Sequence, residues 1–110
     1  MLKAAHTAVV ERNVALTDGF RTEPYETAWA TEVRWFVHVL DGTPEAELKI
    51  QSQTSPEGLT WCDHEIDATV GKGLGLITLA VRSPGPWQRL RISVHSGEIR
   101  SAIVYLCLAG

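Results

Sequence analysis

The sequence predicts an all-β fold, an antiparallel β-sandwich of jelly-roll type with seven or eight strands. Hydrophobic and polar residues alternate in segment after segment, which is the two-residue period of a strand with one face in a core and one in water. Turn signals recur at intervals of about ten residues, and no segment between them has the helical period that a parallel crossover needs. Both observations favour two packed antiparallel sheets.

The chain has 110 residues and 45% hydrophobic residues, enough to bury one core. No repeat or linker divides it, so we expect a single domain over residues 1–110. The net charge of −3 argues against nucleic acid or an anionic membrane as a partner, since both reward clustered Lys and Arg. One local exception is the group Arg82, Arg89 and Arg91 beside Trp87. We favour solvated strand-face charges there, with a small basic-aromatic patch as the alternative.

The N-terminal stretch lacks the apolar core of a signal peptide, and no run reaches the ~18 apolar residues that span a bilayer. We therefore expect a cytoplasmic protein without a membrane partner. Cys62 and Cys107 could pair, but a reducing compartment and the apolar neighbours of Cys107 favour free thiols.

The first half of the chain contains the clearest central strand. A first strand is predicted over residues 7–11, continuing through 13–17 after a bulge or bend, and Pro24 makes residues 20–27 a loop. Residues 30–40 carry large side chains on both faces. This pattern indicates a central strand, or one whose outer face is covered by a loop or a neighbouring subunit.

The second half begins with the least ambiguous strand, residues 46–53, which ends at the turn Ser55-Pro56-Glu57-Gly58. Pro56 sets the backbone angle of the first central turn position and Gly58 accepts a positive φ. Residues 68–73 read as a mobile connection. Further strands are predicted over residues 59–66, 74–81, 87–94 and 100–108.

Catalytic and metal-binding arrangements are weak in this sequence. Cys62 and His64 lie two residues apart on one strand face, but that spacing alone does not activate a thiol. The histidines, cysteines and loop carboxylates lack the regular ligand spacing of zinc or calcium sites. We therefore expect no enzyme activity, no metal site and no cofactor.

Four tryptophans are many for a chain of this length. Trp35 is expected in the core and Trp61 at the end of the sandwich beside its turn. Trp29 and Trp87 adjoin loops and prolines, where aromatic rings stack on sugars or pack into a partner. The candidate binding residues are Trp29, Trp87, Arg89 and Glu26.

The run Ser55-Pro56-Glu57-Gly58-Leu59-Thr60-Trp61, followed later by residues 86–92 and a closing apolar strand, resembles small β-sandwich domains of phage-type and bacterial structural proteins. An S-x-D-G-x-x-W turn recurs in those domains, and Glu57 stands here where Asp is usual. The likeness covers residues 33–108 and extends to discoidin-type and carbohydrate-binding sandwiches. It implies a non-enzymatic module that assembles, decorates or adheres, and it carries over no catalytic residue.

Two functions follow as hypotheses. The first is a structural module that self-associates into an oligomer or shell, or attaches to a larger, phage-like assembly. It is motivated by surplus apolar residues on both faces of residues 30–40, 74–81 and 100–108. The alternative is a glycan-binding module that uses the loop tryptophans as a stacking platform.

Overall fold

The structure is a computed structural model that describes residues 4–110, and these residues form ten strands and no helix. Residues 1–3, part of the segment in which no signal peptide is predicted, lie outside the described residues. The strands are β1 (Ala5–Leu16), β2 (Phe20–Arg21), β3 (Tyr25–Glu26), β4 (Glu32–Gly42), β5 (Glu47–Ser55), β6 (Cys62–Asp63), β7 (Thr69–Lys72), β8 (Gly75–Arg82), β9 (Trp87–Ser96) and β10 (Ile99–Ala109).

The strands build two antiparallel sheets. Sheet A has the order β1-β10-β4-β8, and sheet B has the order β2-β9-β5-β6. The short strands β2 and β3 share one edge of β9, and β6 and β7 share one edge of β5, so ten strands occupy eight positions. The longer strands pass back and forth between the sheets along the chain, as in a jelly roll. This confirms the predicted fold class, although the structure divides the eight positions among ten strands instead of the seven or eight predicted.

The core lies between the sheets and is built by alternate residues of the central strands. Strand β4 buries Val33, Trp35, Val37 and Val39 and lies between β10 and β8, as a central strand should. From sheet B, β5 and β9 contribute Leu48, Ile50, Leu90 and Ile92, all fully buried. Each such side chain removed from water contributes about 1.5–3 kcal/mol to folding.

A buried polar cluster ties the two sheets together. Gln88 of β9 accepts hydrogen bonds at Oε1 from Trp35 Nε1 (3.2 Å) and from Ser52 Oγ (2.7 Å). Its Nε2 donates to the carbonyl of Pro84 at 2.7 Å. A buried polar atom without a hydrogen-bond partner destabilises the folded state. Removing one member of this cluster is therefore expected to destabilise the protein.

The strand predicted over residues 59–66 was wrong, because only Cys62–Asp63 is a strand there. The Glu57 carboxylate accepts hydrogen bonds from the backbone N–H groups of Leu59 (3.1 Å) and Thr60 (2.7 Å). Amides held by a local side chain are not available to a sheet ladder. The turn therefore extends further along the chain than its sequence predicts.

The mobile connection predicted over residues 68–73 was also wrong. Strand β7 pairs with residues 47–50 at the edge of β5. The predicted loop over residues 20–27 likewise contains β2 and β3, on either side of Pro24. The bulge predicted in the first strand is confirmed: Asn13 has a φ of 52°, and the pairing of β1 with β10 shifts register around it.

Two further points concern the whole described chain. Cys62 and Cys107 are free thiols, as predicted. No helix within residues 4–110 is long and apolar enough to cross a membrane.

Candidate functional site

The outer face of sheet A carries a continuous band of apolar side chains, here called the apolar face. Residues Val9, Tyr105 and Phe36 follow one another across β1, β10 and β4, and Ile103, His38 and Leu76 form the next row across β10, β4 and β8. Val9 and Leu76 are exposed, while Phe36, Ile103 and Tyr105 are half-buried. The apolar face comprises Val9, Phe36, Leu40, Leu76, Ile103 and Tyr105. The largest apolar patch on a protein surface is often a functional one.

Polar groups border the apolar face at both ends. At one end Thr7 Oγ1 donates to Cys107 Sγ at 3.5 Å, beside Arg34, and a shallow depression of about 380 Å³ opens there. At the other end Arg100 bonds both oxygens of Asp41, at 3.1 and 3.2 Å. The hydrogen bond from Arg100 holds the pKa of Asp41 below its usual value. The apolar band is therefore framed by charge, as at protein interfaces.

The outer face of sheet B has a different character. It carries three arginines and two tryptophans on alternate positions of neighbouring strands. We call it the arginine–tryptophan face. Arg21 of β2 pairs directly with Arg91 of β9, and Gln53 of β5 pairs with Arg89. The face comprises Arg21, Gln53, Trp61, Trp87, Arg89 and Arg91.

Arg89 is held firmly at the centre of this face. Its guanidinium carbon lies 4.4 Å from the centroid of the Trp61 ring, a cation–π contact. Its Nε donates to Gln53 Oε1 at 2.7 Å, and Gln53 Nε2 donates to Asp63 Oδ1 at 2.9 Å. Burial, and then the nearby charge of Arg21, lower the pKa of Arg89 below its usual value. The guanidinium is therefore both oriented and short of compensating charge.

The Ser55–Gly58 turn supports Trp87 from below. Gly58 has a φ of +87°, and a Cβ added there would lie 3.2 Å from a ring carbon of Trp87, so glycine lets the ring approach the backbone. Backbone N–H groups of Thr60 and Leu59, and then the Ser55 hydroxyl, lower the pKa of Glu57 to about 2. The turn is thus a hydrogen-bonded unit that fixes the position of one ring.

The structure brings together three of the four predicted binding residues. Glu26 pairs with Trp87 at the β3–β9 edge, and Arg89 follows two residues later on the same face. Trp29 is 46% exposed, as expected, but it lies in the loop between β3 and β4, beside Gly110 at the end of β10. Trp87 is half-buried rather than exposed.

Sequence reasoning also misjudged which arginines gather beside Trp87. Arg82 belongs to β8 of sheet A, so it is not part of the patch with Arg89 and Arg91. Arg21 takes its place and was missed, as was the contact of Trp61 with Arg89. Trp61 and Asp63 are alternate residues of one short segment, and Asp63 pairs with Gln53, which places Trp61 near Gln53. The alternation is readable in the sequence, but the pairing is not.

The His64 imidazole in the Cys62–His64 segment is engaged by backbone groups. His64 is buried, its Nε2 lies 3.0 Å and 3.1 Å from the carbonyl oxygens of Arg82 and Ser83, and its Nδ1 accepts the N–H of Ile66. Both ring nitrogens are therefore occupied by backbone, and the imidazole joins two loops. No group of three or more His, Cys, Asp or Glu side chains within residues 4–110 is placed to hold a metal ion.

Comparisons with known proteins bear on the fold. No protein-family model matches this chain, and a search of curated proteins finds no match. Among solved structures, the PBSX exported protein XepA has a TM-score of 0.71 at 13% identity over 96% of this chain, which spans 37% of XepA. The SPBc2 prophage-derived protein YomS has a TM-score of 0.58 at 10% identity over 100% of this chain and 96% of its own.

Carbohydrate-binding β-sandwiches are also similar, though less so. The family 22 carbohydrate-binding module of Clostridium thermocellum Xyn10B has a TM-score of 0.43 at 9% identity, covering 98% of this chain and 82% of its own. At 13% and 10% identity, the likenesses to XepA and YomS concern the fold alone. At that level these two likenesses bear out the resemblance to sandwiches found in phage-type proteins.

Proposed function

We propose that this chain is a non-enzymatic structural module that self-associates through the apolar face of sheet A, as an oligomer or within a larger, phage-like assembly. The apolar face is the observation that carries the proposal. Its residues come from β4, β8 and β10, whose sequences hold more large apolar side chains than one core needs, and from β1. The core is already filled by the opposite faces of these strands. The occupant we infer is a second copy of the chain.

The area of the apolar face indicates how strongly two copies of the chain should associate. Four strands about 4.8 Å apart and about seven residues long present roughly 450 Å² of flat sheet. A standard interface buries about 800 Å² from each partner. A single contact of this size therefore belongs with weak, transient interfaces, and a larger assembly would gain stability from repeated contacts.

The charges at the two ends of the face favour one arrangement. A two-fold axis lying in the interface and running across the strands would stack β4 antiparallel on its copy. The Arg34 end of one copy would then meet the Asp41 end of the other. The Arg34 end also carries Arg82 and Glu32, and the Asp41 end also carries Arg100 and Glu98. In this arrangement Arg34 of each copy faces the acidic pair Asp41 and Glu98 of the other.

Sedimentation velocity across micromolar concentrations tests this proposal. The weight-average mass should rise above the single-chain value of 12.1 kDa as concentration increases. A mass that stays at the single-chain value throughout would remove self-association as the function.

The second candidate is glycan binding at the arginine–tryptophan face. It is favoured by one observation: Glu26, Trp87 and Arg89 lie together, with Trp61 beneath Arg89. Partly exposed aromatic rings beside fixed hydrogen-bonding groups are typical of sugar-binding surfaces. Titrating tryptophan fluorescence with a panel of saccharides tests it, since binding at Trp87 should change the emission. An unchanged emission with every saccharide would exclude this function.

A further inference from the structure

The arginine–tryptophan face concentrates positive charge in an otherwise acidic chain. Arg21 and Arg91 are direct cross-strand partners, and Arg89 lies two residues from Arg91 on the same face. Among residues 4–110, none of these three guanidinium groups lies within ion-pair distance of a carboxylate. Like charges directly opposite each other destabilise a sheet. A bound anion would relieve this repulsion.

Arg89 is oriented before any ligand arrives. Its Nε donates to Gln53 and its Cζ lies over the Trp61 ring, so the Nη groups are the donors left to bind a ligand. A planar guanidinium fixed in this way presents two parallel donors that match a carboxylate or a phosphate. Little side-chain entropy is then lost when an anion binds.

The groups around Arg89 narrow the chemistry of the ligand. The Trp87 ring offers flat apolar surface on the next alternate position of β9, and the exposed Glu26 carboxylate is its cross-strand partner. A carboxylate accepts hydrogen bonds from sugar hydroxyls but repels a dense row of phosphates. The face thus combines a site for one negative charge with groups suited to neutral hydroxyls and a sugar ring.

We propose that the arginine–tryptophan face binds an acidic saccharide, with Arg89, Arg21 and Arg91 around the carboxylate of one sugar and Trp87 beside its ring. This inference rests on the second candidate function and names the chemical class of its ligand. It is independent of self-association, because it uses the opposite sheet.

A matched pair of ligands isolates the contribution of the ligand's negative charge to binding. Isothermal titration calorimetry with an oligogalacturonide and with its fully methyl-esterified form compares the same sugar chain with and without carboxylates. The free acid should bind at least about fivefold more tightly, and added salt should reduce the difference. Arg91→Ser and Arg21→Ser should each weaken binding of the acid by about five- to twentyfold. Arg12→Ser, on β1 of sheet A, removes the same charge elsewhere and should leave binding unchanged.

The outcomes separate this inference from the function on which it rests. Equal affinity for the acid and the ester would overturn the role of charge while leaving glycan binding in place. Absence of binding by either oligomer and by the wider saccharide panel would overturn both. Equal binding of inorganic phosphate alone, tighter binding of single-stranded DNA, or an equal loss in Arg12→Ser would each overturn the assignment to a saccharide.

Discussion

Phe36 and Tyr105 lie directly opposite each other across β4 and β10, on the outer face of sheet A. Cross-strand aromatic pairs stabilise a sheet, and large aromatic side chains dominate the energetics of interfaces. Here Val9 extends the row on the far side of Tyr105 and is 41% exposed. The pair therefore marks the centre of the surface that we assign to a second copy.

A substitution at Leu76 tests the role of that surface without disturbing the core. It is 61% exposed on β8, in the row of Ile103 and His38, so Leu76→Lys should fold normally. A lysine there must lose water when the face is covered, so the association constant should fall about tenfold or more. Sedimentation velocity measures the change. Leu59→Lys is the control, because Leu59 is 84% exposed in the turn before β6. An equal effect of the two substitutions would contradict the assigned face.

The cluster around Gln88 predicts a large loss of stability. Gln88→Met keeps an unbranched side chain but leaves the Trp35 N–H and the Ser52 hydroxyl without their acceptor. The Pro84 carbonyl loses one of two donors and keeps the Thr54 hydroxyl at 2.7 Å. The free energy of unfolding should fall by about 2–4 kcal/mol, measured by urea denaturation.

Adding Ser52→Ala to Gln88→Met tests the reason for that loss. It removes one of the unpaired buried groups, so the double variant should be more stable than the sum of the two single changes predicts. Strict additivity would show that the loss comes from packing and not from unpaired polar atoms.

The Glu57 turn predicts a specific dependence on pH. The carboxyl has an ordinary pKa of 4.5, which the turn lowers to about 2. A lowered pKa in the folded state adds stability that is fully present above the ordinary value and is lost as pH falls toward the lowered one. Glu57→Gln should therefore be less stable than the wild type at neutral pH, and this difference should shrink on acidification through that window.

Urea denaturation at a series of pH values between neutrality and about pH 2 measures this difference. Glu45→Gln is the matched control, because Glu45 is exposed in the turn before β5. A difference between wild type and Glu57→Gln that stays constant with pH would show that the charge of the carboxylate does not hold the turn.

The sequence was sufficient for the fold because side-chain alternation acts within each strand. The period that places Val33, Trp35, Val37 and Val39 on one face is readable without knowledge of any partner strand, and the structure confirms it. The surplus bulk on the other face of β4 was equally readable. Both features depend only on the alternation of side chains within one strand, which can be read from the sequence of that strand.

The arginine–tryptophan face could be predicted only in part, because it depends on pairing between distant strands. The Ser83–Pro86 segment carries the chain from sheet A to sheet B, so Arg82 and Arg89 end in different layers although they are close in sequence. Arg21 meets Arg91 only through the edge pairing of β2. Likewise, the strand expected after Gly58 gave way to hydrogen bonds from Glu57, a competition that alternation does not reveal.

The two free thiols provide the most direct test of the central claim. Cys107 lies on the outer face of sheet A, at the Arg34 end of the apolar face, and Cys62 is exposed on sheet B. Rates of iodoacetamide labelling, read for each cysteine by peptide mass spectrometry, can be followed as protein concentration rises through the micromolar range. If a second copy covers the apolar face, labelling of Cys107 should slow with concentration while labelling of Cys62 stays constant. Concentration-independent labelling of Cys107 would contradict the account.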